Sequence, residues 1–290
     1  MTTLHPSAPG RPDAEPDPFF TFDYVALDQP ETADGTHRPT TYGDVARGDR
    51  GPEPLPEWVV LDSGAVDTEL GVLKTGKEAD VFLLERASAL TGESCLLAAK
   101  RYRDAHHSSF HRSTLYTEGR GVRRSRDQRA LARGSAYGRQ VASGRWARAE
   151  FEALCAAWEA GVAVPYPVSV QDTELLLEFV GTPDGLAAPR LAQARPGRDL
   201  LEHCWQQVRE VVLGLAGLGW AHGDLSPYNL LLHGEVVVAI DLPQVVDLVA
   251  NPFAVELLQR DCTTVAGWFT TRGLVVEADA LLAEALALAL

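Results

Sequence analysis

The sequence predicts an α+β protein of two lobes, an antiparallel sheet with one helix followed by a smaller, mostly helical part. Three observations carry this expectation. Apolar runs of strand length, punctuated by Gly-containing polar turns, recur over residues 59–61, 70–73, 81–84 and 96–99. Helical spacing of apolar residues dominates 198–220, 253–268 and 275–290. Residues 221–241 (AHGDLSPYNLLLHGEVVVAID) read as a tight polar loop, a short strand, a turn at His233-Gly234-Glu235 and a second strand. That hairpin delivers Asp224, Asn229 and Asp241 to its ends.

At 290 residues the chain suits one two-lobed domain or two small ones, with ample length for a core. Hydrophobic and charged contents of 46% and 23% are ordinary globular values. A formal net charge of −14 argues against nucleic-acid binding by the molecule as a whole, while leaving room for a local basic patch. Cys95, Cys155, Cys204 and Cys262 show no C-x-x-C spacing, so neither a zinc site nor a disulfide framework is expected. No apolar run approaches the roughly 20 residues that span a bilayer, and no signal peptide is visible. The expectation is a cytoplasmic protein without membrane contact.

Residues 1–56 are rich in Pro, Gly, Asp and Thr, with one aromatic patch at 19–22, and read as a disordered tail. The first lobe is expected over 57–180. Within it, 74–84 (KTGKEADVFLL) places a turn with Gly76 and Lys77 ahead of a strand, where backbone N–H groups can lie over phosphates. Residues 96–100 form a strand ending in Lys100. From 101 to about 145 come about a dozen arginines interrupted by glycines, the composition of a flexible insertion that suits an anionic partner: ribosome, RNA or an acidic protein. A helix follows over 146–160. In it Trp146, Glu150, Leu154 and Trp158 fall four apart on one face, so Glu150 lies within an apolar stripe. A carboxylate there requires a cation, and Lys100 is the natural one.

Residues 174–180 (ELLLEFV) make the last strand of the first lobe, and the second lobe is expected over 181–290. Main-chain groups of Glu178 and Val180 are expected to meet a nucleobase where the chain crosses between lobes. The spacing Asp224-x-x-x-x-Asn229, followed by a strand ending in Asp241, meets the needs of phosphoryl transfer from Mg-ATP. One carboxylate faces the acceptor hydroxyl; the amide oxygen and the second carboxylate hold metal against the phosphates.

These motifs resemble the RIO family of atypical protein serine/threonine kinases. They are KTGKEADVF (74–82), AAK (98–100), WARAEFEAL (146–154), LEFVG (177–181), APRL (188–191), HGDLSPYN (222–229), IDLPQ (240–244) and RDC (260–262). The resemblance implies a protein-kinase-like fold trimmed of activation loop and peptide-binding helices, which the short stretch after Asp241 suits. It implies ATP with Mg2+, or Mn2+ in its place. Asp224 would be the catalytic base, Asn229 and Asp241 the metal ligands, and Lys100 with Glu150 the phosphate-holding pair. It also implies that Asp241 can itself take up phosphate, so that ATP hydrolysis counts beside phosphorylation of protein serine. Two other readings stand beside this one. HGDxxxxN is shared with aminoglycoside- and choline-kinase-type phosphotransferases, and the arginine-rich segment suits a nucleotide-gated ribosome- or RNA-binding factor.

Overall fold

The computed structural model describes residues 37–103, 136–242 and 245–289. Six antiparallel strands form one sheet: β1 (His37–Pro39), β2 (Val66–Thr75), β3 (Ala79–Ala87), β4 (Ser94–Tyr102), β5 (Pro167–Gln171) and β6 (Glu174–Glu178). Their order across the sheet is β1-β2-β3-β4-β6-β5. Helix α1 (Ala136–Glu159) packs against β4, β5 and β6.

Strand alternation sorts β4 between two faces. Cys95, Leu97 and Ala99 face a core shared with Tyr42, Val59, Val60, Tyr166 and Val168. Lys100 and Tyr102 point the other way, towards α1 and the second lobe. A second, larger core runs from that face of the sheet through α1 into the helices beyond.

The second lobe is built on α2 (Arg198–Gly217), α3 (Ala254–Thr270) and α4 (Ala278–Ala289). Helix α2 buries Leu201, Cys204, Trp205, Val208, Val211, Val212 and Leu215, a stripe at helical spacing. Across it lie the hairpin β8 (Leu230–His233) and β9 (Val236–Ala239) and the short pair β7 (Trp220–Ala221) and β10 (Val246–Asp247).

Three boundaries differ from expectation. The described body begins at His37 instead of near Trp58: Tyr42 and Val45 are buried and the segment hydrogen-bonds to the sheet. The expected patch at 19–22 lies outside the described residues. Helix α1 starts at Ala136, well before Trp146. Its glycines do not break it, and Gly144 serves a close approach, since an added Cβ would lie 3.2 Å from the carbonyl oxygen of Asp172. The arginine-rich stretch between Arg103 and Ala136 lies outside the described residues. Residues 59–61 form no strand; Val59 and Val60 are instead buried in a turn-rich segment.

Candidate active site

The site is assembled around Lys100, near the end of β4. Its Nζ lies 2.7 Å from Glu150 Oε1 on α1 and 2.6 Å from Asp241 Oδ1, just past β9. Glu150 is only 1% exposed, and its other oxygen accepts a short hydrogen bond from the hydroxyl of Tyr102. A buried ion is tolerated only when its remaining hydrogen-bonding capacity is met, and here both carboxylate oxygens have donors. Burial by itself would push the Lys100 ammonium down, but Asp241 and Glu150 outweigh it and hold its pKa well above the ordinary lysine value.

Asp241 is the meeting point of the two lobes. Its second oxygen lies 3.3 Å from Lys74 Nζ, at the end of β2. Burial favours the neutral acid, yet Lys100 and Lys74 together hold the carboxyl far below the usual carboxylate range. Asp241 takes φ = 62°, a left-handed conformation that Asp tolerates better than most residues and that turns its side chain out of the β9 direction.

The loop bearing Asp224 is held rigid around an exposed carboxylate. Asp261, buried on α3, accepts the N–H groups of Gly223 (2.7 Å) and Leu225 (2.8 Å), the residues on either side of Asp224. Burial raises the pKa of Asp261, against the lowering effect of His222 and these two amides. His222 Nε2 lies 3.3 Å from the Ile240 carbonyl, and its Nδ1 accepts from the Asp224 amide at 3.4 Å, an arrangement that suits the Nε2–H tautomer. Arg260 donates to the Gly223 carbonyl and stands 3.9 Å from the Asp224 carboxylate. The Asn229 side-chain amide donates to the Asp224 carbonyl at 2.9 Å, and the Asn229 carbonyl accepts from Ile240 N–H at 2.9 Å. The first of these bonds engages the amide nitrogen and leaves its oxygen as an acceptor.

The remaining expected residues are placed with less convergence. Gly76 closes the β2–β3 turn by donating its N–H to the Ala79 carbonyl at 3.0 Å. Lys77 is exposed on that turn and is not brought to Asp241; Lys74 is. Glu178 gives its N–H to the Tyr166 carbonyl at 2.8 Å, and the Val180 carbonyl accepts from Ala188 at 3.0 Å. The Glu178 N–H and the Val180 carbonyl are thus engaged within the fold. Burial raises the Glu178 carboxyl, which accepts the Tyr166 N–H at 3.0 Å.

The sequence pattern assigns no role to Lys74, Tyr102, Arg260 or Asp261. Asp261 carried a usable signal, an acid amid the apolar stripe Leu258, Cys262, Val265 and Phe269. Among the described residues no group of three or more His, Cys, Asp or Glu side chains forms a self-sufficient metal cage. One amide oxygen and one carboxylate suit Mg2+, which takes few protein ligands and completes its shell with phosphates and water. Among those residues, too, no helix is long and apolar enough to cross a membrane.

Comparison with known proteins converges on one family. A model described as the RIO domain matches residues 90–281. RIO-type serine/threonine-protein kinase Rio1 of Haloferax volcanii is 38% identical over 222 residues, covering 77% of this chain and 70% of that protein. Human serine/threonine-protein kinase RIO1 is 28% identical over 218 residues, 75% of this chain but 36% of the human protein. Among solved structures, the Rio2 kinase–ADP/Mg2+–phosphoaspartate complex from Chaetomium thermophilum superposes with a TM-score of 0.50 at 20% identity. It covers 74% of this chain and 62% of that one, a likeness of fold.

Proposed function

This chain belongs to the RIO family of serine/threonine-protein kinases, and from that membership we propose that it transfers the γ-phosphate of Mg-ATP to a protein serine or to its own Asp241. The observation that supports the reading best is Lys100 held between Glu150 and Asp241 at 2.7 and 2.6 Å, a fixed ammonium at the junction of the lobes.

In this reading Asp224 orients the acceptor hydroxyl and takes its proton as the oxygen attacks the γ-phosphorus. Lys100 lies on the phosphates and Glu150 keeps it there. The turn at Gly76 covers the phosphates, and the chain at Glu178 and Val180 borders the adenine. Asn229 and Asp241 would hold Mg2+, which when bound neutralises charge on the phosphate oxygens. Where Asp241 is the acceptor, its carboxylate oxygen bonds to the γ-phosphorus, the bond to the β–γ bridging oxygen breaks and ADP leaves. A cytoplasmic location, where Mg-ATP is plentiful, belongs to the same proposal.

The test is incubation of the purified chain with γ-labelled Mg-ATP and, as acceptors, a mixture of protein substrates, an aminoglycoside and a small alcohol such as choline. Acid-stable label on serine, or hydroxylamine-labile label on the chain itself, is expected. Label confined to an aminoglycoside or a small alcohol would replace this reading with the small-molecule one. The arginine-rich segment supports a ribosome or RNA contact by composition alone. Neutralising Arg123, Arg124 and Arg126 is expected to weaken RNA association and flatten its salt dependence, measured by filter binding across a salt series.

Lys74 supplies a second positive charge facing the phosphates. Lys74→Met is expected to weaken Mg-nucleotide binding severalfold at low ionic strength. The difference should shrink as salt is raised, because the Lys74 side chain is a third exposed and therefore screened. Titration calorimetry at two salt concentrations checks it; equal affinities at low salt would remove Lys74 from the site.

A further inference from the structure

Helix α1 presents Glu150 to Lys100 on one side and Arg148 to a different element on the other. Two residues along an α-helix are about 200° apart around its axis, so the two side chains leave nearly opposite faces. Arg148 Nη1 donates to the Gly48 carbonyl at 3.2 Å, and Nη2 is ion-paired with Asp49. Gly48 and Asp49 belong to a 3-10 turn (Arg47–Asp49) in the segment that precedes the sheet.

That segment is anchored to the edge of the sheet. Arg50 forms an antiparallel bridge with Ser169, Gly51 N–H donates to the Val168 carbonyl at 3.0 Å, and the Tyr166 hydroxyl donates to the Pro52 carbonyl at 2.8 Å. Gly51 is pressed so close that an added Cβ would fall 2.0 Å from the Pro167 carbonyl oxygen and 2.6 Å from the Tyr166 hydroxyl. Tyr166 also stacks edge-on against Trp58 of the segment and Trp158 of α1, with ring centroids 6.2 and 5.1 Å away.

Between these attachments the helix and the segment do not pack closely. Two clefts of about 570 and 290 Å3, open to solvent, lie along the seam, lined by Arg50, Pro52, Glu53, Phe151, Cys155 and Glu159, with others. Close packing resists displacement, and a solvent-filled cleft does not supply it. Here α1 is held on this side by a tether at Arg148 and an aromatic contact at Trp158, with space in between.

We propose that Arg148 and Asp49 are positioning residues, and that residues 47–58 form a clamp that sets α1 so that Glu150 meets Lys100. The proposal rests on the phosphotransfer reading of the Lys100 site. The Arg148 and Asp49 side chains are 42% and 26% exposed, and a pair so placed adds little to global stability. Its loss should therefore shift the helix without unfolding the protein.

The test uses the full chain as Asp49→Arg, Arg148→Asp and the double charge swap. Each single variant is expected to lower kcat up to about fivefold, the factor that corresponds to an exposed ion pair. The KM for the protein acceptor should stay unchanged, amide exchange over 142–159 should quicken, and the swap should restore both rate and exchange. Gly51→Val, which cannot seat the segment, should reproduce the single-variant behaviour more strongly. Single variants with wild-type kcat and unaltered exchange in α1 would overturn the clamp, as would a swap that restores nothing. A wild-type chain without phosphotransfer would instead defeat the reading of the site, and amide exchange alone would still decide whether the segment holds the helix.

Discussion

Asp224→Asn is expected to lower phosphotransfer by roughly 10^2–10^4-fold, the usual range for removing a general base, while nucleotide affinity stays near wild type. The geometry makes this substitution informative. The Asp224 side chain is 61% exposed and its nearest charged neighbour among the described residues, Arg260, is 3.9 Å away, so the carboxylate contributes little to holding the loop. The loop is held through its main chain: by Asp261 at Gly223 and Leu225, by His222 at the Asp224 amide and by Asn229 at the Asp224 carbonyl. Asparagine keeps the shape and those bonds and removes the proton acceptor. Initial rates with labelled ATP, alongside calorimetric nucleotide binding, separate the two effects. Full turnover by the asparagine variant would show that Asp224 is not the base.

The contrast with Asp261→Ala clarifies the division of labour. That change strands two buried N–H groups, at about 1–3 kcal/mol each, and frees the loop itself. Both stability and turnover should fall there, whereas Asp224→Asn should lower turnover alone.

The part of the site legible in the sequence is the part where chemistry and packing conflict. Glu150 was readable because an acid within an apolar helical stripe demands a cation, and the structure places Lys100 at 2.7 Å. Asp261 obeys the same logic, but its partners are main-chain amides, and amides leave no mark in a sequence. Lys74 does not stand out, because nothing in a strand running into a turn says which of Lys74 and Lys77 faces inward. The β2–β3 register has irregularities between Glu69 and Gly71 and between Val72 and Lys74, which break the simple alternation that would have answered it.

The fold was legible where periodicity is long and obscured where backbone hydrogen bonds replace side-chain burial. Helices α2 and α3 begin and end close to the expected positions, since each carries an unbroken apolar stripe. The segment at 37–56 looked like a continuation of the tail because its composition is that of a loop. It is fixed by carbonyl and amide contacts to β5 and by a few buried side chains, Tyr42 and Val45 among them. The start of α1 is hidden for the opposite reason: its first turns hold glycines, whose low helix propensity says loop, while a long helix carries them along.

Lys100→Met should cost more than Glu150→Gln, and the order follows from what each leaves behind. Without Lys100, Glu150 remains 1% exposed with only the Tyr102 hydroxyl as donor, and Asp241 keeps the partly exposed Lys74 and the more distant charge of Arg190. Stranding a buried charge in this way costs about 3–5 kcal/mol, which for a chain of this size lowers Tm by about 2–4 °C per kcal/mol. Glu150→Gln leaves Lys100 neutralised by Asp241 at 2.6 Å, and the glutamine oxygen can still accept from Tyr102 or Lys100. The pH dependence sharpens the test. Asp241 has its pKa depressed, so its stabilisation is present above its unfolded value near 3.8 and is lost as pH falls through the still lower folded value. Lys100 has its pKa raised, so its contribution is complete below about 10.5 and is lost only as pH rises through a higher folded value. Titration of this pair therefore adds no slope to wild-type stability between about pH 5 and 9. Across that interval the Lys100→Met deficit, measured by thermal unfolding, should stay larger than that of Glu150→Gln. Equal losses for the two variants at pH 7 would mean that Glu150 does not depend on Lys100 for its burial, and the ion pair at the centre of the site would lose its structural rationale.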